Sequence, residues 1–248
     1  MGFLGALTFL TRVPVRLRRA PDLAAAVAWF PVVGALVGAV VGGVAAGLAE
    51  LVPPLVAAVV AVLVGVLVTG AFHEDGLADV ADAFAGGWSV DERLAILDDP
   101  RHGSYGVAAL AGSLLVRVAA LATLGPAAAV AGAVAAHSLA RASAVGLMAV
   151  APVARGEGLG AEYARTLPRA RAVAAVLAGM GIGALAAGWW VVPLVAAAAA
   201  AAAVVGWLAV RKIGGISGDV LGATEQVAEC LALVVVSGLA ARHPVWWA

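Results

Sequence analysis

The run His73-Glu74-Asp75-Gly76-Leu77-Ala78-Asp79-Val80-Ala81-Asp82 is the densest polar segment of this sequence. On a helix, Asp75, Asp79 and Asp82 follow i, i+4, i+7 spacing and lie within about 60° of one another. Three carboxylates on one stripe repel each other unless a cation sits between them. Hard divalent ions favour such oxygen donors, and Mg²⁺ takes one or two carboxylates plus waters and substrate phosphates. A solvated acidic face would look similar, but the apolar residues between the acids bury the flanks of the stripe and favour a metal. Asp75, Asp79 and Asp82 are therefore the expected metal ligands, and Mg²⁺ the expected ion. His73 is a candidate base or assisting group. Glu74 sits about 100° round from Asp75 and is expected to matter much less.

Two other segments carry chemistry. Asp98-Asp99-Pro100-Arg101-His102-Gly103-Ser104-Tyr105-Gly106 offers glycines whose backbone can approach an anion at a helix start, and Arg101 offers phosphate a planar fork. A capped turn is the plain alternative there. Gly214-Gly215-Ile216-Ser217-Gly218-Asp219 again places glycines ahead of an acid at a helix start, where Asp219 is a capping residue on the simplest reading. Glu225 and Glu229 lie i, i+4 apart in an apolar stretch, where carboxylates are costly and usually functional. Arg117 and Arg141 are costly in the same way and are expected to face the interior near those glutamates. His137, four residues before Arg141, fits the same ion-paired interior. Cys230 reads as a buried structural thiol, and a lone cysteine forms no disulfide within one chain.

What must position these residues is a membrane bundle. Of 248 residues, 64% are hydrophobic and 12% charged. A soluble domain usually carries about a quarter charged residues, so too few remain here to cover a soluble surface. Apolar runs over 24–48, 52–71, 105–124, 127–150, 172–188, 191–210 and 222–240 predict seven transmembrane helices. The expected fold is an all-α polytopic bundle, a single membrane-embedded domain over 1–248. Gly34, Gly38 and Gly42 line one helix face and favour close helix contact in lipid.

Orientation follows from the basic residues. With a cytoplasmic N-terminus, the inner side holds Arg12, Arg16, Arg18, Arg19, Arg93, Arg101, Arg155, Arg165, Arg169, Arg171, Arg211 and Lys212, and the outer side only Arg242. Loops 72–104, 151–171 and 211–221 then share the cytoplasmic face of the cell (inner) membrane. Apolar residues precede the first arginines, the reverse of a signal peptide, so the N-terminus is expected to be a retained amphipathic start. Zero net charge gives no bulk attraction to nucleic acid. Lipid is an expected neighbour, and a homo-oligomer is left open.

Together the segments resemble the cobalamin synthase family, the adenosylcobinamide-GDP ribazoletransferases. The family's H-x-DGLAD-x-x-D pattern is matched from His73 to Asp82. Its I-x-x-D-x-R-x-G-x-x-G pattern is matched by Ile96, Asp99, Arg101, Gly103 and Gly106. Its GG-x-[ST]GD-x-x-GA-x-x-E pattern is matched from Gly214 to Glu225, and Phe9-Leu10-Thr11-Arg12-Val13-Pro14 fits its opening. The resemblance implies transfer of α-ribazole, or its 5′-phosphate, onto adenosylcobinamide-GDP with loss of GMP. It makes His73, Asp99, Arg101 and Asp219 the expected catalytic residues, and Gly103, Gly106, Gly215, Gly218 and Glu225 the expected binding positions.

Two rival readings have different signatures. A CDP-alcohol-type phosphotransferase also spaces aspartates around a DG pair, but its Ala-Arg and two further aspartates are missing after Gly76. A transporter would place its polar groups at midplane, often with inverted repeats, whereas the clusters here fall in loops on one side.

Overall fold

A computed structural model describes residues 2–16, 22–154 and 166–248. Arg18, Arg19, Arg155 and Arg165, which enter the orientation count, lie outside the described residues, as does much of loop 151–171. The described chain forms helices α1 (Gly2–Leu10), α2 (Leu23–Val27), α3 (Phe30–Leu48), α4 (Pro54–Thr69), α5 (Phe72–Gly86), α6 (Val90–Leu97), α7 (Ser104–Ala122), α8 (Pro126–Val150), α9 (Arg169–Ala187), α10 (Val191–Ile213) and α11 (Gly218–Ala240). Among the described residues, β pairing is confined to a bridge between Val153 and Ile216.

Local chemistry sets the boundaries. Prolines with no N–H to lose open α4 and α8 at Pro54 and Pro126. The expected helix over 24–48 is instead two, α2 and α3, parted just before Pro31. Proline cannot donate to the preceding turn, so the ladder breaks there. Gly70 and Gly214 end α4 and α10 in the left-handed region, at φ 69° and 81°.

Five stretches are long and apolar enough to cross a membrane, and a sixth arises if α4 and α5 are taken together. One of the five, Arg169–Ile213, turns back at Gly188, whose φ is 61°. Beyond that turn Val191 returns to Gly183, while Gly179 meets Ala142 and Gly206 meets Leu147 of α8. The stretch is thus a hairpin of two passes, α9 and α10. Helix α5 leaves α4 at 91°. It packs across α7 and α11 at one end of the bundle. Helices α3, α4, α7, α8, α9, α10 and α11 are the seven expected passes.

The alanine-rich α8 is the hub, packed against α3, α9, α10 and α11 and buried along much of its length. A Cβ on Gly34 or Gly42 would sit 2.5 or 2.7 Å from the carbonyl oxygens of His137 or Ala129, and one on Gly38 would strike that of Ala133. Small residues thus let two backbones touch, which drives helix association where water does not. At one end of the bundle Trp189 meets His243, and Trp247 Nε1 donates to Ala186 O. At the other end gather α5, α6, the start of α7 and the 213–219 turn. Ile216 N donates to Pro152 O, Lys212 Nζ to Phe84 O and Arg93 to Lys212 O.

Candidate active site

Helix α5 positions the acidic stripe. The backbone enters it through Gly70 and Ala71, both left-handed, with Ala71 at φ 58°. A non-glycine residue in that region costs energy that the surrounding packing must sustain. Gly76 lets the α5 backbone rest on the first turn of α11, where a Cβ would meet Asp219 O at 2.8 Å. That contact sets Asp219 beside the outward face of α5.

On that face Asp75 is exposed and Asp79 half-buried. His102 lies over both, with Nε2 3.4 Å from Asp75 Oδ1 and Nδ1 3.3 Å from Asp79 Oδ1. Donor atoms of the three residues fall within 4.8 Å of one another. Burial, then the neighbouring carboxylates of Asp75 and Asp219, push the Asp79 pKa up to about 6. Oxygen donors open to solvent on one side fit Mg²⁺, which keeps waters and phosphates in its shell.

Asp82 departs from expectation. It accepts N–H bonds from Gly103 at 2.6 Å and Gly106 at 2.9 Å, one on each oxygen. The anion received by those glycines is therefore this protein's own carboxylate, and Asp82 fastens the loop instead of joining the donor cluster. The glycine requirement is steric, since a Cβ on Gly103 would sit 2.7 Å from Asp82 Oδ1 and one on Gly106 would strike Oδ2. Gly215 is likewise occupied: its Cβ would fall 2.5 Å from Ala154 N and Pro152 O, so the strand-like contact with 152–154 fills the place of a ligand. Gly218 begins α11, capped by the Ser217 hydroxyl, which accepts from Val220 N. Asp219 is therefore not the cap and instead receives a 3.3 Å bond from Ser217 Oγ.

Asp99 and Arg101 form an exposed two-bond pair, at 2.9 Å from Nε and 2.6 Å from Nη2. Arg101 holds the Asp99 pKa down to about 2. The phosphate fork is thus engaged by Asp99 and must release it to grip a ligand.

His73 and Glu225 do not reach this surface. His73 is 5% and Glu225 1% exposed, and the two face each other at 3.7 Å inside the bundle. Arg141 pairs with Glu225 and lies 3.4 Å from Glu229. Arg117 bridges Glu74 at 3.0 Å and Glu229 at 3.2 Å, and His137 Nδ1 stands 2.9 Å from Glu229. Arg117 and Arg141 therefore point inward as expected. Glu74, expected to matter little, is 3% exposed and ion-paired. Cys230 is only partly buried, its Sγ 3.7 Å from Ser113 O. Sequence reasoning missed His102; its place between Arg101 and Gly103 was the available signal, but only the fold reveals the acids beneath it.

Residues 2–237 match the family described as cobalamin-5-phosphate synthase. The chain belongs to that family. It is 41% identical over 242 residues to an adenosylcobinamide-GDP ribazoletransferase of Pseudomonas paraeruginosa, covering 94% of this chain and 96% of the relative. It is 38% identical over 232 residues to the protein of the same name from Chlorobaculum parvum, covering 92% and 91%. No solved structure gives a significant match. The three polar segments singled out in the sequence meet at the end of the bundle bearing α5.

Proposed function

We propose that this chain transfers α-ribazole, or its 5′-phosphate, onto adenosylcobinamide-GDP. A ribose hydroxyl attacks the phosphorus joined to the cobinamide, the bond from that phosphorus to GMP breaks, and GMP leaves with the former bridging oxygen. The relatives' printed names support the substrates. The observation that carries the reading is the convergence of Asp75, Asp79 and His102 at one end of the bundle, with the first turn of α11 packed on Gly76 so that the Asp219 charge is felt at Asp79.

Asp75 and Asp79 are the residues that would hold Mg²⁺. Bound there, the ion would supply positive charge to pyrophosphate oxygens. Asp219, whose charge is felt at Asp79, would orient the incoming hydroxyl or accept its proton. Arg101, exposed beside the cluster, offers its fork to the departing GMP phosphate once Asp99 yields it. The arginine asymmetry supports a cytoplasmic position for this face and an inner-membrane location.

The test is GMP release by purified protein in lipid nanodiscs, given adenosylcobinamide-GDP and either form of ribazole across a Mg²⁺ titration. Corrinoid product and GMP in equal amounts are expected. Substrate binding without GMP release at any Mg²⁺ concentration would overturn the reading.

A further inference from the structure

The family pattern around the second segment specifies Arg101 and Gly103 and leaves the residue between them free. In this chain that residue is His102, and the fold places it over the acids. Loop bonds on both sides hold it there. Asp82 accepts the N–H groups of Gly103 and Gly106, and Asp99 accepts from the backbone and side chain of Arg101. The ring nitrogens stand 3.4 Å and 3.3 Å from the carboxylate oxygens of Asp75 and Asp79. Both distances exceed the usual N–H···O separation of about 2.9–3.0 Å. One imidazole nitrogen serves one ion, and Nδ1, 3.3 Å from Asp79 Oδ1, stands at the spacing of neighbouring donors with bonds of about 2.1 Å, roughly 3.0–3.4 Å. One donor atom from each of Asp75, Asp79 and His102 falls within 4.8 Å of the others. The imidazole is about a third exposed, leaving the far side of the cluster open to water or phosphate.

We propose that His102 is a third protein ligand of the metal held by Asp75 and Asp79, giving this centre a nitrogen donor. An all-oxygen set suits Mg²⁺, whereas an added imidazole favours borderline ions such as Mn²⁺ and Co²⁺. The centre therefore discriminates against Mn²⁺ less than a carboxylate-only site does, and His102 sets that balance. The inference rests on the metal-binding reading of Asp75 and Asp79.

Tag-free, metal-free full-length protein in detergent is titrated with Mn²⁺, and the bound ion is examined by electron spin echo for modulation from a coordinated ¹⁴N. Wild type is expected to show it. His102→Gln is expected to lose it and to bind Mn²⁺ at least about tenfold more weakly, since even partners beyond the direct ligands change affinity by about 10–100-fold. Mg²⁺ binding, measured by competition, is expected to change less, so the Mn²⁺-to-Mg²⁺ preference falls. Absence of ¹⁴N modulation in wild type, or equal or tighter Mn²⁺ binding by His102→Gln, overturns the proposal and makes the imidazole a counter-charge that the ion displaces. Asp79→Asn separates the two readings. If it abolishes Mn²⁺ binding while His102→Gln does not weaken it, only the role of His102 fails; if neither variant weakens binding, the metal site itself fails.

Discussion

On the inner side of α5, Glu74 is sealed in the bundle with Arg117 3.0 Å away; on the outer side, Asp75 stands in the open beside Asp79, with His102 3.4 Å away. The two residues are adjacent in sequence and carry the same charge. The inner region answers each glutamate with a cation: Glu74 and Glu229 with Arg117, and Glu225 and Glu229 with Arg141. The outer region gathers Asp75, Asp79 and Asp219, and among the described residues their ion-pair partner is the His102 imidazole rather than a guanidinium. In a low-dielectric interior an unpaired charge is prohibitive, so the inner set must balance itself. At the surface water pays down part of the repulsion, and the remaining imbalance is what a divalent ion requires. One helix thus separates a buried, paired charge set from the exposed set proposed to hold the metal by the facing of neighbouring residues.

The comparison breaks most severely at its inner half. Arg141→Met should leave Glu225 and Glu229 short of a cation and destabilise the fold by about 3–5 kcal/mol. Denaturant unfolding in mixed micelles measures this, and an unchanged midpoint would show that the interior charges are not paired as described. On the outer half, Asp79→Asn should lower turnover by about two to three orders of magnitude, the size of a lost charge-stabilising contact of about 3–4 kcal/mol. Its melting temperature should hold or rise, because one repelling carboxylate is gone.

Glu74→Gln tests the boundary between the two. It should cost about 1–3 kcal/mol of stability by loosening a buried charged hydrogen bond, while the Mg²⁺ concentration for half-maximal activity stays put. A changed Mg²⁺ requirement with unchanged stability would place Glu74 on the wrong side of the comparison.

A smaller effect is expected from pH. Asp79 has its pKa raised from 3.8 to about 6 in the fold, so the folded state holds that proton more tightly than the unfolded chain. Its contribution is fully present below about pH 4 and is lost as pH rises through about 6. Metal-free protein should therefore melt lower at pH 7 than at pH 5 by an increment that Asp79→Asn removes. Mg²⁺ should restore more stability at the higher pH. The least effect belongs to Arg101→Ala, whose pair with Asp99 is exposed: melting should not move, while KM for adenosylcobinamide-GDP should rise if the fork grips phosphate.

Composition and periodicity by themselves determined the membrane bundle, the passes and the stripe of Asp75 and Asp79. Those features depend on local hydrophobicity and a helical repeat. They also determined that Arg117 and Arg141 face inward, because charged groups in apolar spans have no tolerable alternative. Only the tertiary structure decided which polar group meets which. Asp82 shares the stripe of Asp79, yet α7 arrives beside it and presents two N–H groups. Gly103, Gly106 and Gly215 looked free for a ligand, and chain from elsewhere fills their open sides. Glu74 and Glu225 became interior partners, and His102 a neighbour of the acids, through contacts between segments far apart in the chain. Local spacing fixes the direction of a side chain from its own helix; its partner depends on the packing of the others.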